Sequence, residues 1–84
     1  MTKPDHEIDA RGLRCPLPVI KMEKALRNMA AGQKLKITAD DPIASLDLPN
    51  FAREGGHDIE RLPPDQTEFS GNTSVFMVTR GENP

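Results

Sequence analysis

The sequence predicts a two-layer α/β sandwich in which two helices cover one face of a mixed four-stranded sheet. Short apolar runs alternate with two stretches of helical periodicity in the order βαβαββ. Right-handed crossovers between the first three strands would place both helices on the same face of the sheet. The chain has 84 residues, 36% of them hydrophobic. This length predicts a single domain over residues 1–84, with an ordered core at about residues 6–80.

The first strand and the first helix are predicted on either side of a glycine. Residues 7–10 alternate, with Ile8 and Ala10 on one face, as in a half-buried strand. A helix is expected over residues 16–30, because proline is well tolerated in the first turn of a helix and Pro16 would be its first residue. Its predicted inward residues, at helical spacing, are Val19, Met22, Leu26, Met29 and Ala30. Gly32 is expected to end this helix in the left-handed conformation.

The second strand and helix have clearer signals. Lys34–Ala39 alternates strictly, with Leu35, Ile37 and Ala39 predicted inward and Lys34, Lys36 and Thr38 predicted outward. Asp40-Asp41-Pro42 then ends the strand and begins a helical segment. Because Pro49 would break a continuous helix, we expect a short turn at residues 42–46 and a helix from Leu48, capped by Asp47. Its predicted inward residues are Leu48, Phe51 and Ala52, and it should end at Gly55-Gly56.

The last two strands follow these glycines. Residues 57–62 form a weaker strand prediction, ended by two prolines. A polar connection is expected at residues 65–72. Ser74–Thr79 contains Val75-Phe76-Met77-Val78, which is apolar on both faces and so predicts a central or covered strand. The tail from Gly81 onwards is expected to be disordered.

Composition excludes several classes of function. Eleven basic and thirteen acidic residues give a net charge of −2, and the chain has no Trp or Tyr, which is unlike a general nucleic-acid binder. A single cysteine forms no internal disulfide. The sequence has neither a signal-peptide pattern nor an apolar run of membrane-spanning length. We therefore expect a cytoplasmic monomer without nucleic-acid or membrane partners and without a resident cofactor.

Cys15 is the only cysteine and directly precedes the predicted helix start. As the helix N-cap, its sulfur would face the positive end of the helix dipole, and we expect its pKa to lie below the ordinary value of about 8.5. Because Pro18 has no amide hydrogen, the remaining donors to the sulfur would be the amides of Leu17 and Val19. Positive charge nearby is expected from Arg11, Arg14 and Lys21. The alternative is that Cys15 is a small buried hydrophobic residue.

A family resemblance appears in four sequence blocks. They are Asp9-x-x-Gly12-Leu13-x-Cys15-Pro16-x-Pro18, Asp41-Pro42, Asp47-Leu48-Pro49-x-Phe51 and Gly56-His57. In these blocks the chain resembles the TusA/SirA-like family of small sulfur carrier proteins. The resemblance implies the same two-layer fold and a motif cysteine, here Cys15, that carries sulfur as a transient persulfide. It also implies a supporting motif made of Gly12, Leu13, Arg14, Pro16 and Pro18.

The same resemblance implies two protein partners: a sulfur donor, such as a cysteine desulfurase or a rhodanese, and a sulfur acceptor. Members of the family serve tRNA thiolation, molybdenum-cofactor supply or sulfur oxidation. Members known from tRNA thiolation often carry an acidic residue between the two prolines, where this chain has Leu17. The pathway therefore stays open.

A docking surface is predicted on the first helix beside the thiol. Leu17 is an apolar residue on its polar face, among Lys21, Lys24 and Asn28. We expect this patch to contact a partner protein, although isolated surface leucines also occur without any role.

Two other classes of function remain open: a thiol-based redox or regulatory protein, and, by fold analogy alone, an RNA-binding module. A metal site made of His6, His57 and Cys15 is not expected, because these residues lack a recognised ligand spacing. Asp40-Asp41 are interpreted as capping residues rather than as an acid/base pair.

Overall fold

The structure is a computed structural model, and it describes residues 3–63 and 73–82. The elements follow the predicted order βαβαββ. They are β1 (His6–Asp9), α1 (Leu17–Arg27), β2 (Lys34–Ala39), α2 (Pro42–Glu54), β3 (Asp58–Arg61) and β4 (Ser74–Thr79). The predicted fold class is confirmed. The polar connection predicted at residues 65–72 lies outside the described residues.

The four strands form one mixed sheet in the order β1-β2-β4-β3. β1 pairs with β2 in parallel, and β4 pairs antiparallel with both β2 and β3. In this register Ile37 lies opposite Ile8 on one side and Phe76 on the other, so these three side chains share a face. β4 is a central strand, as predicted from the apolar residues on both of its faces. Val75 is 2% exposed and Phe76 is 1% exposed.

The core lies between the sheet and the two helices, which pack against each other. α1 contributes Val19, Met22 and Leu26, and α2 contributes Ala44, Leu48 and Ala52. Leu35, Ile37 and Ala39 of β2 are buried against them, as predicted. Thr38 was predicted to face solvent, but it is 5% exposed and lies opposite the equally buried Val75. The helix-free face of the sheet is therefore partly covered at this pair.

α1 is shorter than predicted at both ends. It begins at Leu17 with Pro16 as the N-cap residue, so Cys15 lies one position before the cap rather than at it. The helix ends at Arg27, because the amide of Asn28 bonds to the Ala25 carbonyl at a three-residue spacing that tightens and closes the last turn.

Two residues that were predicted to belong to the end of α1, Ala30 and Gly32, therefore lie outside the helix. Ala30, predicted as an inward residue, is exposed, and its amide donates to Oε1 of Gln33 at 2.9 Å. Gly32 adopts the expected left-handed φ of +88°, but it belongs to the turn before β2, where its amide donates to the Arg80 carbonyl. Its role is thus to form the turn into β2 and not to cap α1.

α2 is one continuous helix, which contradicts the predicted break at Pro49. Asp41 is its N-cap, with the side chain accepting the amide of Ile43, and Pro42 is its first residue. The helix continues through Pro49 because buried residues four positions apart, Ala44, Leu48 and Ala52, pack on the core on both sides of the proline. It ends at Glu54, with Gly55 as the C-cap as predicted.

Phe51 was predicted to point inward but is 42% exposed. The buried face of α2 is centred on Leu48, which leaves Phe51 on the side of the helix that faces α1. There it lines a cavity of about 230 Å³ together with Met22, Leu26 and His57.

The chain after β4 is hydrogen-bonded to the turn before β3. Gly81 was predicted to begin a disordered tail, but its amide donates to Nδ1 of His57 at 2.9 Å. Burial and the nearby Arg80 lower the pKa of His57, which keeps Nδ1 available as an acceptor. A Cβ on Gly81 would lie 2.0 Å from the Gly56 carbonyl oxygen, so this close approach of two backbone segments needs a glycine.

Neither helix in the described part of the chain is long and apolar enough to cross a membrane.

Candidate functional site

Cys15 lies on the loop that joins β1 to α1, residues 10–16, called here the thiol loop. The loop leaves the sheet at Ala10, whose amide donates to the Thr38 carbonyl at 2.7 Å. It turns at Gly12, which has a left-handed φ of +82°. The amide of Leu13 then bonds back to the Ala10 carbonyl at 3.2 Å. These bonds make the loop a compact turn and not an extended segment.

Two carboxylates at the end of β2 fix the thiol loop. Asp40 Oδ1 accepts the amide of Gly12 at 2.9 Å. Asp41 uses both oxygens: Oδ1 accepts the amide of Ile43 and so caps α2, while Oδ2 accepts the amide of Cys15 at 2.7 Å. One carboxylate therefore connects the start of α2 to the backbone of the cysteine.

The side chain of Cys15 also points to α2. Its thiol donates a hydrogen bond to Oδ2 of Asp47, with Sγ and Oδ2 2.9 Å apart. The residue is partly exposed, and the peptide bond between it and Pro16 is cis. Both the backbone and the sulfur of Cys15 are thus positioned by carboxylates of α2 and its N-cap.

The predicted lowering of the Cys15 pKa is wrong. The hydrogen bond to Asp47 raises the pKa of the Cys15 thiol, and partial burial and the negative charges of Asp47 and Asp41 add to this effect. The amide of Leu17, expected to stabilise a thiolate, instead donates to the Arg14 carbonyl at 2.8 Å. The neutral thiol is therefore the favoured form in this structure.

The basic residues expected around the thiol, Arg11, Arg14 and Lys21, have two different surroundings. Arg11 forms a two-pronged ion pair with Asp9, with both nitrogen–oxygen distances at 2.8 Å. This pair lowers the pKa of Asp9 to about 2 and directs the guanidinium to β1. Arg14 and Lys21 are exposed. Two of the three predicted cations therefore remain on the surface, and the third is engaged by Asp9.

The remaining motif residues have distinct surroundings. Leu13 packs against the core and Pro18 is buried, so these two residues anchor the loop and the start of α1. Pro16 is exposed. Gly12, Leu13 and Arg14 line an open cleft of about 420 Å³ with Asp40, Asp41 and Pro42.

The predicted docking residues all lie on the surface of α1. Leu17 is 48% exposed, and Lys21 and Lys24 are exposed beside it. Further exposed apolar side chains, which the sequence did not predict as docking residues, are Ile20 on the same helix, 52% exposed, and Ile43 and Leu46 of α2, 57% and 69% exposed. Both helices therefore expose apolar side chains on the surface of the protein.

Asp41 and Asp47 are the site residues that sequence reasoning missed, since both were interpreted only as helix caps. A signal was present for Asp41: parallel strands end at the same edge of a sheet, so the loops after β1 and β2 had to meet. Asp47 belonged to one of the blocks that carry the family resemblance, but that block gave no sign of a contact with Cys15, which depends on α2 being continuous.

In the described part of the chain, no group of three or more His, Cys, Asp or Glu side chains is arranged to hold a metal ion. His57 lines the cavity between α1 and α2 and accepts the Gly81 amide. It does not contribute to the thiol loop.

Comparisons with known proteins show a family and a fold that this chain shares. The family model described as sulfurtransferase TusA matches residues 6–75, which include the thiol loop, both helices and most of the sheet. The crystal structure of a SirA-like protein from Desulfitobacterium hafniense superposes with a TM-score of 0.76 at 31% sequence identity, covering 92% of this chain and 99% of that one. Extending over both helices and the cysteine loop, these matches show that the chain belongs to the TusA family of sulfurtransferase-type sulfur carriers.

Proposed function

We propose that the protein carries sulfur as a persulfide on Cys15, accepting it from a protein donor and passing it to a protein acceptor. The observation that supports this most directly is the position of the thiol. In a chain of this family, the only cysteine is partly exposed on a loop whose backbone is fixed by Asp40 and Asp41. A fixed and accessible sulfur can be presented to two different partners in turn.

The transfer exchanges one sulfur–sulfur bond for another. The Cys15 sulfur attacks the outer sulfur of a cysteine persulfide on the donor, forming a new bond as the donor's own sulfur–sulfur bond breaks. The proton of the Cys15 thiol ends on the donor cysteine, so nothing is oxidised or reduced overall. In the second step an acceptor thiol attacks the outer sulfur on Cys15 and restores the original thiol. With no second cysteine in the chain, the loaded sulfur meets no internal thiol that could displace it.

The experiment is intact-protein mass spectrometry after incubation with a cysteine desulfurase and free cysteine. We expect a gain of one sulfur atom that a reductant removes and that is absent from the Cys15→Ser variant. A rhodanese with thiosulfate is the second donor. If neither donor adds sulfur to a protein whose Cys15 still alkylates normally, the carrier function is wrong.

We further propose that the surface of α1 formed by Leu17, Lys21 and Lys24 contacts the donor. Reversing the charge of both lysines to glutamate should slow sulfur loading from the protein donor, while alkylation of Cys15 by iodoacetamide, an uncharged reagent, is unchanged. The matched control reverses two exposed arginines, Arg53 and Arg61, which line the cavity between α2 and β3. Equal slowing in both double variants would mean that net charge, and not this surface, governs loading.

The other function classes receive less support from the site. A peroxide sensor needs a thiolate at neutral pH, whereas the contact with Asp47 raises the pKa of Cys15. An RNA-binding surface at the loop would bring phosphates toward Asp40, Asp41 and Asp47, whose carboxylates repel them.

A further inference from the structure

The carboxylate of Asp47 differs from the other acidic groups around Cys15 because it contacts the sulfur itself. Asp40 and Asp41 accept backbone amides, so their contacts fix the loop. Asp47 Oδ2 instead accepts the thiol hydrogen, with Sγ 2.9 Å away. A carboxylate in that position acts on the chemistry of the thiol and not on the folding of the loop.

Charged side chains lie on the thiol loop, on the first five residues of α1 and on the segment that leads from β2 into α2. In chain order they are Arg11, Arg14, Lys21, Asp40, Asp41 and Asp47. Arg11 pairs with the acidic residue two positions before it, while Asp41 and Asp47 both lie against Cys15. The charge in direct contact with Cys15 is therefore negative.

We propose that Asp47 is a positioning residue for sulfur transfer, which keeps the Cys15 thiol neutral and oriented until a sulfur donor docks. This inference rests on the proposed function of Cys15 as a persulfide carrier. A neutral thiol is a poor nucleophile, so oxidants and polysulfides that diffuse in from solution react slowly with the unloaded carrier. Asp47 would thus make the carrier selective for sulfur delivered by a protein.

The proposed step leaves Asp47 chemically unchanged. When a donor docks, the bond between Cys15 Sγ and the outer sulfur forms and the donor's sulfur–sulfur bond breaks. The thiol proton leaves its hydrogen bond with Asp47 and ends on the departing donor sulfur. Asp47 is a carboxylate before and after the transfer, and the raised pKa of the thiol agrees with this role.

The test compares alkylation of Cys15 by iodoacetamide, an uncharged reagent, over a range of pH in the wild type and three variants. Asp47→Asn keeps the size of the side chain but removes its charge. Asp47→Glu restores the charge. Glu54→Gln removes a carboxylate from an exposed position at the end of the same helix and is the matched control. Thermal unfolding of each variant establishes that it is folded.

We expect Asp47→Asn to alkylate about three- to tenfold faster at neutral pH, with its pH profile moved to lower pH. The gain in rate is smaller than the gain in thiolate, because a thiolate of lower pKa is intrinsically a weaker nucleophile. Asp47→Glu should lie close to the wild type, and Glu54→Gln should match it. An Asp47→Asn variant that alkylates at the wild-type rate or more slowly overturns the proposal.

A second readout tests selectivity. Incubated with inorganic polysulfide alone, Asp47→Asn should gain sulfur on Cys15 severalfold faster than the wild type or Glu54→Gln, as measured by intact mass. Equal rates in all three proteins overturn the selective role. Because alkylation needs no sulfur donor, a faster Asp47→Asn reaction together with no loading from any protein donor would refute the carrier function and leave the effect of Asp47 on the thiol intact.

Discussion

Replacing Pro49 by alanine is expected to stabilise the protein, because Pro49 lies inside the continuous helix α2. Proline has no amide hydrogen to donate to the carbonyl of Ser45, four residues earlier, and its ring presses against that carbonyl. In a helix interior these effects cost about 3 kcal/mol relative to alanine. This cost sets the upper limit of the gain in the free energy of unfolding.

Two effects reduce that gain. Alanine gives the unfolded chain more conformational freedom, which lowers the free energy of unfolding by about 0.4–1 kcal/mol. The ring of Pro49 is half-buried, and losing two half-buried methylene groups costs about 0.8 kcal/mol. The remaining stabilisation is about 1.5 kcal/mol, which corresponds to a rise in Tm of roughly 6–12 °C for a domain of this size.

The assay is urea and thermal unfolding followed by circular dichroism, with Pro42→Ala as the matched control. Pro42 is the first residue of the same helix, where the missing amide hydrogen has no helical partner. Its replacement should therefore change the free energy of unfolding by less than about 0.5 kcal/mol. A loss of stability in Pro49→Ala, or an equal gain in both variants, would refute the argument that the interior position strains α2.

Three further predictions concern stability. Leu48→Ala should lower the free energy of unfolding by about 2–5 kcal/mol in urea titrations, while Leu46→Ala, on the same helix but 69% exposed, should change it by less than about 0.5 kcal/mol. Burial lowers the pKa of His57, so the unfolded chain binds a proton more readily than the folded protein does. The free energy of unfolding should therefore fall as pH drops through about 6.5. Unfolding curves of the His57→Gln variant should show a smaller fall. Gly81→Ala should cost about 1–3 kcal/mol, measured by thermal unfolding, since its Cβ would meet the Gly56 carbonyl oxygen.

The strands and the central position of the last one were predictable because period-two alternation records which residues are buried. Lys34–Ala39 and Ser74–Thr79 have the predicted bounds, and the apolar character of both faces of the latter correctly indicated a central strand. Burial of Thr38 was not predictable in this way, because a polar residue on the face of the sheet without helices is expected to be exposed to solvent.

The ends and breaks of the helices were less predictable, because tertiary packing overrides local preference. Pro49 has a low intrinsic preference for helix interiors, yet Leu48 and Ala52 are fully buried on either side of it. The gain from burying this face exceeds the cost of one missing hydrogen bond. Cys15 is not the cap residue either, because α1 begins at Leu17 and Pro16 occupies the cap position.

The error at α2 and the error in the Cys15 pKa have one common cause. If the helix began at Leu48, Asp47 would be its N-cap, and its carboxylate would accept the backbone amides of the first turn. In the continuous helix Asp47 instead lies six residues after Asp41, about 9 Å along the axis, and helical side chains lean toward the N-terminus. Its carboxylate is therefore directed back to the end of α2 where Asp41 binds the cysteine backbone. Continuity through Pro49 thus brings a negative charge to the sulfur, and the neutral thiol follows from it.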